Sequence, residues 1–264
     1  MFLAFNLEKL NDYSAFYHHG QQHLKNNHQK VSKTLKDYLL SKNGALSGLE
    51  IEKEWFPQIN IDIFLSHSHK DQKSVISFAG WLNKTFNLNV FVDSGLWGNS
   101  AELLKEIDDE YCKNENKLSY SYEKRNYSTS HVHMMLAMSL AKVMDKAEIT
   151  LFLNTDNTIK PVSDTINKST SSPWIYTELV FTSLIQKKVL RRELLKSIDE
   201  DIMFENRNLE IEHNVQEYIN KLVPLTEDNL KLWEKKYNEA SGSKEHPLDY
   251  LYVQIKNIDE LSKN

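Results

Sequence analysis

Three short apolar runs separated by helix-length segments constrain this fold more than any other feature. They are Ile61-Asp62-Ile63-Phe64-Leu65, Asn89-Val90-Phe91-Val92 and Ile149-Thr150-Leu151-Phe152-Leu153. Between the first two, Val75, Ala79, Leu82 and Phe86 recur on one face of a helix starting near Asp71. A strand, helix, strand series of this length implies a parallel pair joined by a right-handed crossover. The third run is almost continuously apolar, as a strand is when helices cover both faces of its sheet. The fold class is therefore α/β, with a parallel sheet flanked by helices.

The rest of the chain fills in around those strands. Ser94-Gly95-Leu96-Trp97-Gly98-Asn99-Ser100 reads as a loop with two glycines and an exposed Trp97, followed by a helix from Ala101 to Cys112. Lys113 to Tyr127 is polar, tyrosine-rich and without a period, so a long loop or insertion is expected there. Ser128, Thr129 and Ser130 offer N-caps for a helix from His131 to Lys146, and a second loop covers Asn154 to Ser172. Ser172 then caps a helix, Pro173 suits its first position, and the helix runs to about Leu190. Residues 1–56 read as a helical N-terminal extension, because Leu24, Val31, Leu35, Tyr38 and Leu39 recur at helical spacing before Gly44 and Gly48. Residues 57–190 form the core domain and 191–264 a mixed C-terminal extension packed on it. In that extension Leu209 to His213 alternates like a strand, Asp228 to Ala240 reads as a helix, and Pro247 to Ile255 docks on the body.

Composition excludes several function classes. The 264 residues are 40% hydrophobic and 26% charged, which is ordinary globular usage. Thirty-two basic against 37 acidic residues give −5 with no long basic run, which disfavours nucleic acid as a main partner. No window approaches a membrane span, and the apolar start Met1 to Asn6 lacks the basic region of a signal peptide. Cys112 stands alone, which excludes an intrachain disulfide and fits a reducing, cytoplasmic compartment. Seven glycines and five prolines argue for long regular elements.

Several residues carry possible chemistry. Trp174 and Glu178 are four apart, so one helical face presents an aromatic surface beside a carboxylate. By itself this pair also reads as a core tryptophan with a solvated glutamate. Arg125, Ser128 and Ser130 stand at an expected helix start, where open backbone N–H groups favour a pyrophosphate; a plain N-cap with surface histidines is the equal alternative. His19 and His23 have helical metal-ligand spacing but no third ligand, and a solvated face is the better reading. His131, His133 and Cys112 make a weak zinc pattern, so no metal is assigned. Cys112 has no base to activate it and reads as a small buried residue.

Three blocks, in order, resemble a Toll/interleukin-1 receptor (TIR) domain of the bacterial kind. Asp62-Ile63-Phe64-Leu65-Ser66-His67-Ser68-His69-Lys70-Asp71 is similar to that family's first strand and loop. Val90-Phe91-Val92-Asp93 is similar to its second strand and the start of the BB loop. Ser172-Pro173-Trp174-Ile175-Tyr176-Thr177-Glu178-Leu179 matches its Trp-x-x-x-Glu helix. The resemblance spans roughly residues 60 to 190 and implies a flavodoxin-like fold. It also implies either NAD+ glycohydrolase or cyclase activity, in bacterial antiphage defence, or a non-catalytic scaffolding module. On the catalytic reading Glu178 is the essential carboxylate, while His67, Ser68, Asp93, Trp97 and Trp174 line or border the nucleotide site. NAD+ is then substrate, with no separate cofactor, and the further partners expected are a second copy or an effector protein that reads the nucleotide product. The 113–127 segment and both extensions depart from a minimal TIR domain, which bears on the site entrance and on assembly.

The chemistry suits these residues. Cleaving the nicotinamide–ribose bond gives an oxocarbenium-like centre, and the leaving group is already cationic, so it needs no general acid. A carboxylate beside the ribose stabilises the developing charge. His67, Ser68 and Asp93 follow strand ends and Glu178 opens the helix after the third strand, so all are expected at the carboxyl edge of the sheet, where such ligands bind.

Overall fold

The computed structural model describes residues 1–27, 35–39, 46–56, 60–92, 94–115, 118–161, 168–170, 172–188, 213–240 and 245–255. The chain divides into two compact units. One comprises Met1–Lys25, Asn60–Val92 and Met144–Asn264; the other comprises Asn26–Ile59 and Asp93–Val143.

The first unit is α/β, and its centre is a parallel sheet of five strands. The strands are β1 (Leu3–Leu7), β2 (Ile63–Ser66), β3 (Val90–Val92), β4 (Ile149–Leu153) and, from late in the chain, β8 (Val223–Leu225), in the order β3-β2-β4-β1-β8. Every pairing is parallel. The three strands expected from the sequence are present, and the parallel β2–β3 pair is joined by the expected helix, α3 (Gln72–Phe86). A small antiparallel sheet adds β5 (Lys160–Pro161), β6 (Lys168–Thr170) and β7 (His213–Asn214).

Side-chain alternation divides the residues between the two faces of the sheet. Leu3, Ile149 and Ile63 share one row, and Phe5, Leu151 and Leu65 the next on the same face. That face packs against Val75, Phe78, Ala79, Leu82 and Phe86 of α3, against Leu230 and Trp233 of α8 (Glu227–Glu239), and against Leu248, Leu251 and Tyr252 of α9 (Pro247–Tyr252). Phe86 stacks on Trp233 at 3.9 Å between ring centroids. The opposite face, with Ala4 and Phe152, packs against Ile175 and Leu179 of α6 (Pro173–Leu184) and Ile219 of α7 (Gln216–Asn220). Each fully buried side chain of this size contributes about 1.5–3 kcal/mol.

The N-terminal stretch differs from the helical extension expected of residues 1–56. It begins with β1, buried throughout and inserted between β4 and β8. Met1 to Leu7 is too short to show a period, and the strand exists because β4 offers it an open edge. A helix does follow, α1 (Tyr17–Asn27), shorter than the periodicity predicts; part of the predicted stretch lies outside the described residues. Gly20 and Gly80 let α1 and α3 touch backbone to backbone. A Cβ on Gly20 would lie 1.9 Å from the Ile76 carbonyl oxygen, and one on Gly80 2.4 Å from that of Phe16.

His19 and His23 dock this helix. His19 Nε2 lies 2.9 Å from Asn83 Oδ1, and the Val90 backbone N–H donates to His23 Nε2 at 3.2 Å, on the edge strand β3. The expected solvated face is thus partly a docking face.

At the other edge, β8 carries Pro224, which is tolerated there because an edge strand has one row of backbone groups with no ladder partner. The C-terminal region therefore contributes a strand to the central sheet besides the expected helix at 227–239, and the segment expected to dock on the body carries a helix at 247–252.

The second unit is helical. It contains α2 (Gly48–Trp55), α4 (Ser94–Ile107) and most of α5 (Tyr122–Lys146). Ser94–Ser100, expected as a loop, is the first half of α4. Two glycines cost about 1 kcal/mol each within a helix, which the rest of a fourteen-residue helix offsets. The helix runs on into a π-helical turn at Asp108–Cys112. The predicted insertion at 113–127 is helical from Tyr122 onward, so Ser128–Ser130 lie inside α5 and are not its caps. The predicted loop at 154–172 carries β5 and β6.

Candidate functional site

Between β2 and β4 the sheet has a topological switch point, because the chain runs outward from β2 to β3 and returns on the other side to β4. Ligands of open α/β sheets bind outside the carboxyl ends of the strands at such a point. One face of the sheet changes character there. Its inner row holds Ala4, Thr150 and Phe64; the next row, nearer the carboxyl ends, holds Asn6, Phe152 and Ser66. Polar side chains thus replace apolar ones on the two strands flanking β4.

Glu178 reaches this row from α6. Ser172 caps that helix by accepting the Ile175 N–H at 3.3 Å, with Pro173 at its first position, as the sequence predicts. The start of the helix is thereby fixed, and Glu178 falls on its second turn, facing the sheet beside Leu179. Glu178 is 1% exposed, and the Ser66 hydroxyl donates to its Oε2 at 2.5 Å. Burying a carboxylate is costly unless donors meet it, and Ser66 is one such donor. This excludes the solvated-glutamate reading of Glu178. Trp174, one turn earlier, is partly buried.

His67 follows Ser66 directly and is 3% exposed. Ser68 is partly exposed and flanks a 3₁₀ turn at His69–Asp71. Glu178 thus bonds to Ser66, the last residue of β2, and His67 and Ser68 follow Ser66 directly in the chain. Asp93 lies outside the described residues. Trp97 lies in α4, within the helical unit, and not in the loop expected for it.

Sequence reasoning missed several residues of this edge. Ser66 marked only the end of a strand motif, and its partner is 112 residues away. Asp71 accepts from Thr155 Oγ1 at 2.6 Å and from Asn157 Nδ2 at 2.7 Å. It thereby ties the loop after β2 to the loop after β4 across the switch point. Asn6 is 7% exposed, and its Nδ2 donates to Glu8 Oε1 at 3.3 Å, an oxygen that Lys168 Nζ also approaches at 3.3 Å. The Asn6 Oδ1 is enclosed and accepts no hydrogen bond among the described residues. An enclosed acceptor left so costs about 1–3 kcal/mol. The only signal available in the sequence was a polar residue inside the apolar run Leu3-Ala4-Phe5-Asn6-Leu7.

The other candidates resolve differently. Arg125 Nε donates to Asp108 Oδ2 at 2.7 Å, and Ser128 Oγ to Asp108 Oδ1 at 2.6 Å. Ser130 Oγ donates to the Asn126 carbonyl at 2.8 Å. These groups sit in a helix interior, where backbone N–H groups are already used, so the pyrophosphate reading loses its basis. Asp108 is buried, and its two bonds hold the π turn against α5. Cys112 is buried nearby, and burial pushes its thiol up, away from the reactive thiolate. His131 and His133 are exposed. Among the described residues no three His, Cys, Asp or Glu side chains gather as a metal site, and no helix is long and apolar enough to cross a membrane.

Comparison with family models, with curated proteins and with solved structures returned no match. The functional reading therefore rests on the sequence blocks and on this geometry.

Proposed function

We propose that this chain is a TIR-type protein with a flavodoxin-like sheet that cleaves the nicotinamide–ribose bond of NAD+ and acts in bacterial antiphage defence. The observation that carries the reading is Glu178. It is a buried carboxylate, hydrogen-bonded by Ser66, at the carboxyl edge of a parallel sheet beside its switch point. The order β3-β2-β4 supports the fold reading, since it repeats the 2-1-3 start of a flavodoxin-like sheet.

In the proposed reaction the bond from ribose C1′ to the pyridinium nitrogen breaks, and its electron pair neutralises the leaving nicotinamide. Glu178 stabilises the positive charge that develops on the ribose. Water then bonds to C1′ and releases a proton, giving ADP-ribose. Attack by another nucleophile in its place gives the cyclised or conjugated product. On this reading His67, buried directly after Ser66, and the partly exposed Ser68 contribute to the nucleotide site.

Incubation with NAD+, with nicotinamide release followed by chromatography and mass analysis, tests the reading. Glu178→Gln is expected to lower turnover at least about 100-fold, the scale for removing one electrostatic stabiliser. Full activity in that variant overturns the assignment.

A second reading, a non-catalytic interaction module, draws on α5. Tyr127, Met134 and Met138 are spaced seven and four apart on it and are 71%, 55% and 46% exposed. That reading expects no NAD+ turnover at any protein concentration.

A further inference from the structure

The first strand brings to the sheet edge residues that the resemblance does not include. β1 occupies the fourth place in the sheet, beside β4, and Asn6 shares a row with Phe152 and Ser66. Two strand spacings separate Asn6 from Ser66, about 10 Å. Each of the two polar residues in this row donates to a carboxylate: Ser66 to Glu178, Asn6 to Glu8. Two carboxylates, Glu178 of α6 and Glu8 just past β1, are thus each bonded by a polar residue of one of the two strands flanking β4. They differ in setting, since Glu178 is buried whereas the Glu8 side chain is 65% exposed and paired with Lys168.

We propose that Asn6 and Glu8 form a second ribose-recognition point at the carboxyl end of β1, which makes the site selective for a dinucleotide over a mononucleotide. The proposal rests on the reading of Glu178 as the carboxylate of the scissile ribose. The enclosed Asn6 Oδ1 accepts no hydrogen bond among the described residues, so it calls for a donor. A phosphate brings only acceptors and does not suit it. A ribose brings two adjacent hydroxyls, which donate to an acceptor pair such as an amide oxygen and a carboxylate; acidic residues bind ribose hydroxyls in this way in other parallel α/β sheets. Lys168 balances the charge of Glu8, so that carboxylate can stand beside an anionic diphosphate. The span of about 10 Å between the two strand ends suits two riboses joined through a diphosphate.

The test compares wild type with Asn6→Leu and Glu8→Gln in two measurements. The first is the ratio of kcat/KM for NAD+ to that for nicotinamide mononucleotide, which lacks the second ribose. The second is calorimetric binding of ADP-ribose. Both variants are expected to lower the ratio, and to weaken ADP-ribose, by about tenfold or more. Glu8 is exposed, so Glu8→Gln keeps the test open should Asn6→Leu fold poorly. A wild type that cleaves NAD+ with a ratio unchanged in Glu8→Gln and in a folded Asn6→Leu overturns this proposal and leaves the Glu178 reading standing. A wild type that neither cleaves NAD+ nor binds ADP-ribose overturns both.

Discussion

Replacing Ser66 with alanine removes a donor from a carboxylate that is 1% exposed. The hydrogen bond is 2.5 Å long, within the range of charge-assisted O–H···O⁻ pairs. Bonds of that kind contribute about 1.5–3 kcal/mol, and neutral ones about 0.5–1.5 kcal/mol. Ser66→Ala should therefore cost about 1.5–3 kcal/mol in the wild-type background but only about 0.5–1.5 kcal/mol where Glu178 is already glutamine. With a urea slope of about 3 kcal/mol per molar, the wild-type loss moves the midpoint by about 0.5–1 M. The assay is urea unfolding of four proteins (wild type, both single variants and the double variant), followed by tryptophan fluorescence. Trp81 and Trp233 are buried in the main core and report its opening. The double-mutant cycle then gives the coupling, expected at about 1 kcal/mol or more, beyond the deviation typical of independent sites. Ser66→Thr keeps the hydroxyl and should recover part of the loss. If Ser66→Ala costs the same in both backgrounds, Glu178 is not the charged partner of Ser66, and the electrostatic account of the site fails.

Two further predictions concern the first unit. Gly20→Ala places a methyl 1.9 Å from the Ile76 carbonyl oxygen, whereas ordinary contact begins near 3.4 Å, so α1 must move by about 1.5 Å. That should cost about 1–3 kcal/mol or more, read as a lower unfolding midpoint; an unchanged midpoint refutes the close crossing. Burial, its largest cause, holds the His23 pKa below the ordinary imidazole range, with the nearby His19 adding to it and Val90 opposing it. Below about pH 6.5 the unfolded chain then binds a proton that the folded chain resists. The His23 contribution is complete above that pH and is lost as the pH falls towards the depressed folded value. Unfolding at pH 7.5, 6.5 and 5.5 should show wild type losing stability relative to His23→Gln, and parallel losses refute the assignment.

Much of the central sheet was legible because its strands announce themselves locally. β2, β3 and β4 are compact apolar runs, α3 keeps one apolar face, and Ser172-Pro173 starts α6 where capping chemistry requires. Where the reading departs from the structure, the deciding contact lies far along the chain. β1 pairs with β4, so Leu3 meets Ile149, and an isolated five-residue apolar run gives no hint of such a partner. β8 is a three-residue strand with a proline at its centre, acceptable only because it sits at the edge. The start of α4 was hidden by two glycines, whose cost a long helix absorbs. The start of α5 was hidden by Ser128–Ser130, which look like caps but bond within the helix and to Asp108.

The site divides in the same way. The sequence by itself determined that Glu178 stands on the second turn of a capped helix and that His67 and Ser68 follow a buried strand. These are short-range matters of periodicity, capping and turn chemistry. Only the tertiary structure decided that Glu178 is buried, that Ser66 is its donor, and that Asn6 of the first strand stands on the same row. Pairing depends on strand order, and strand order is settled by the burial of whole faces that join residues as distant in the chain as Leu3 and Ile149.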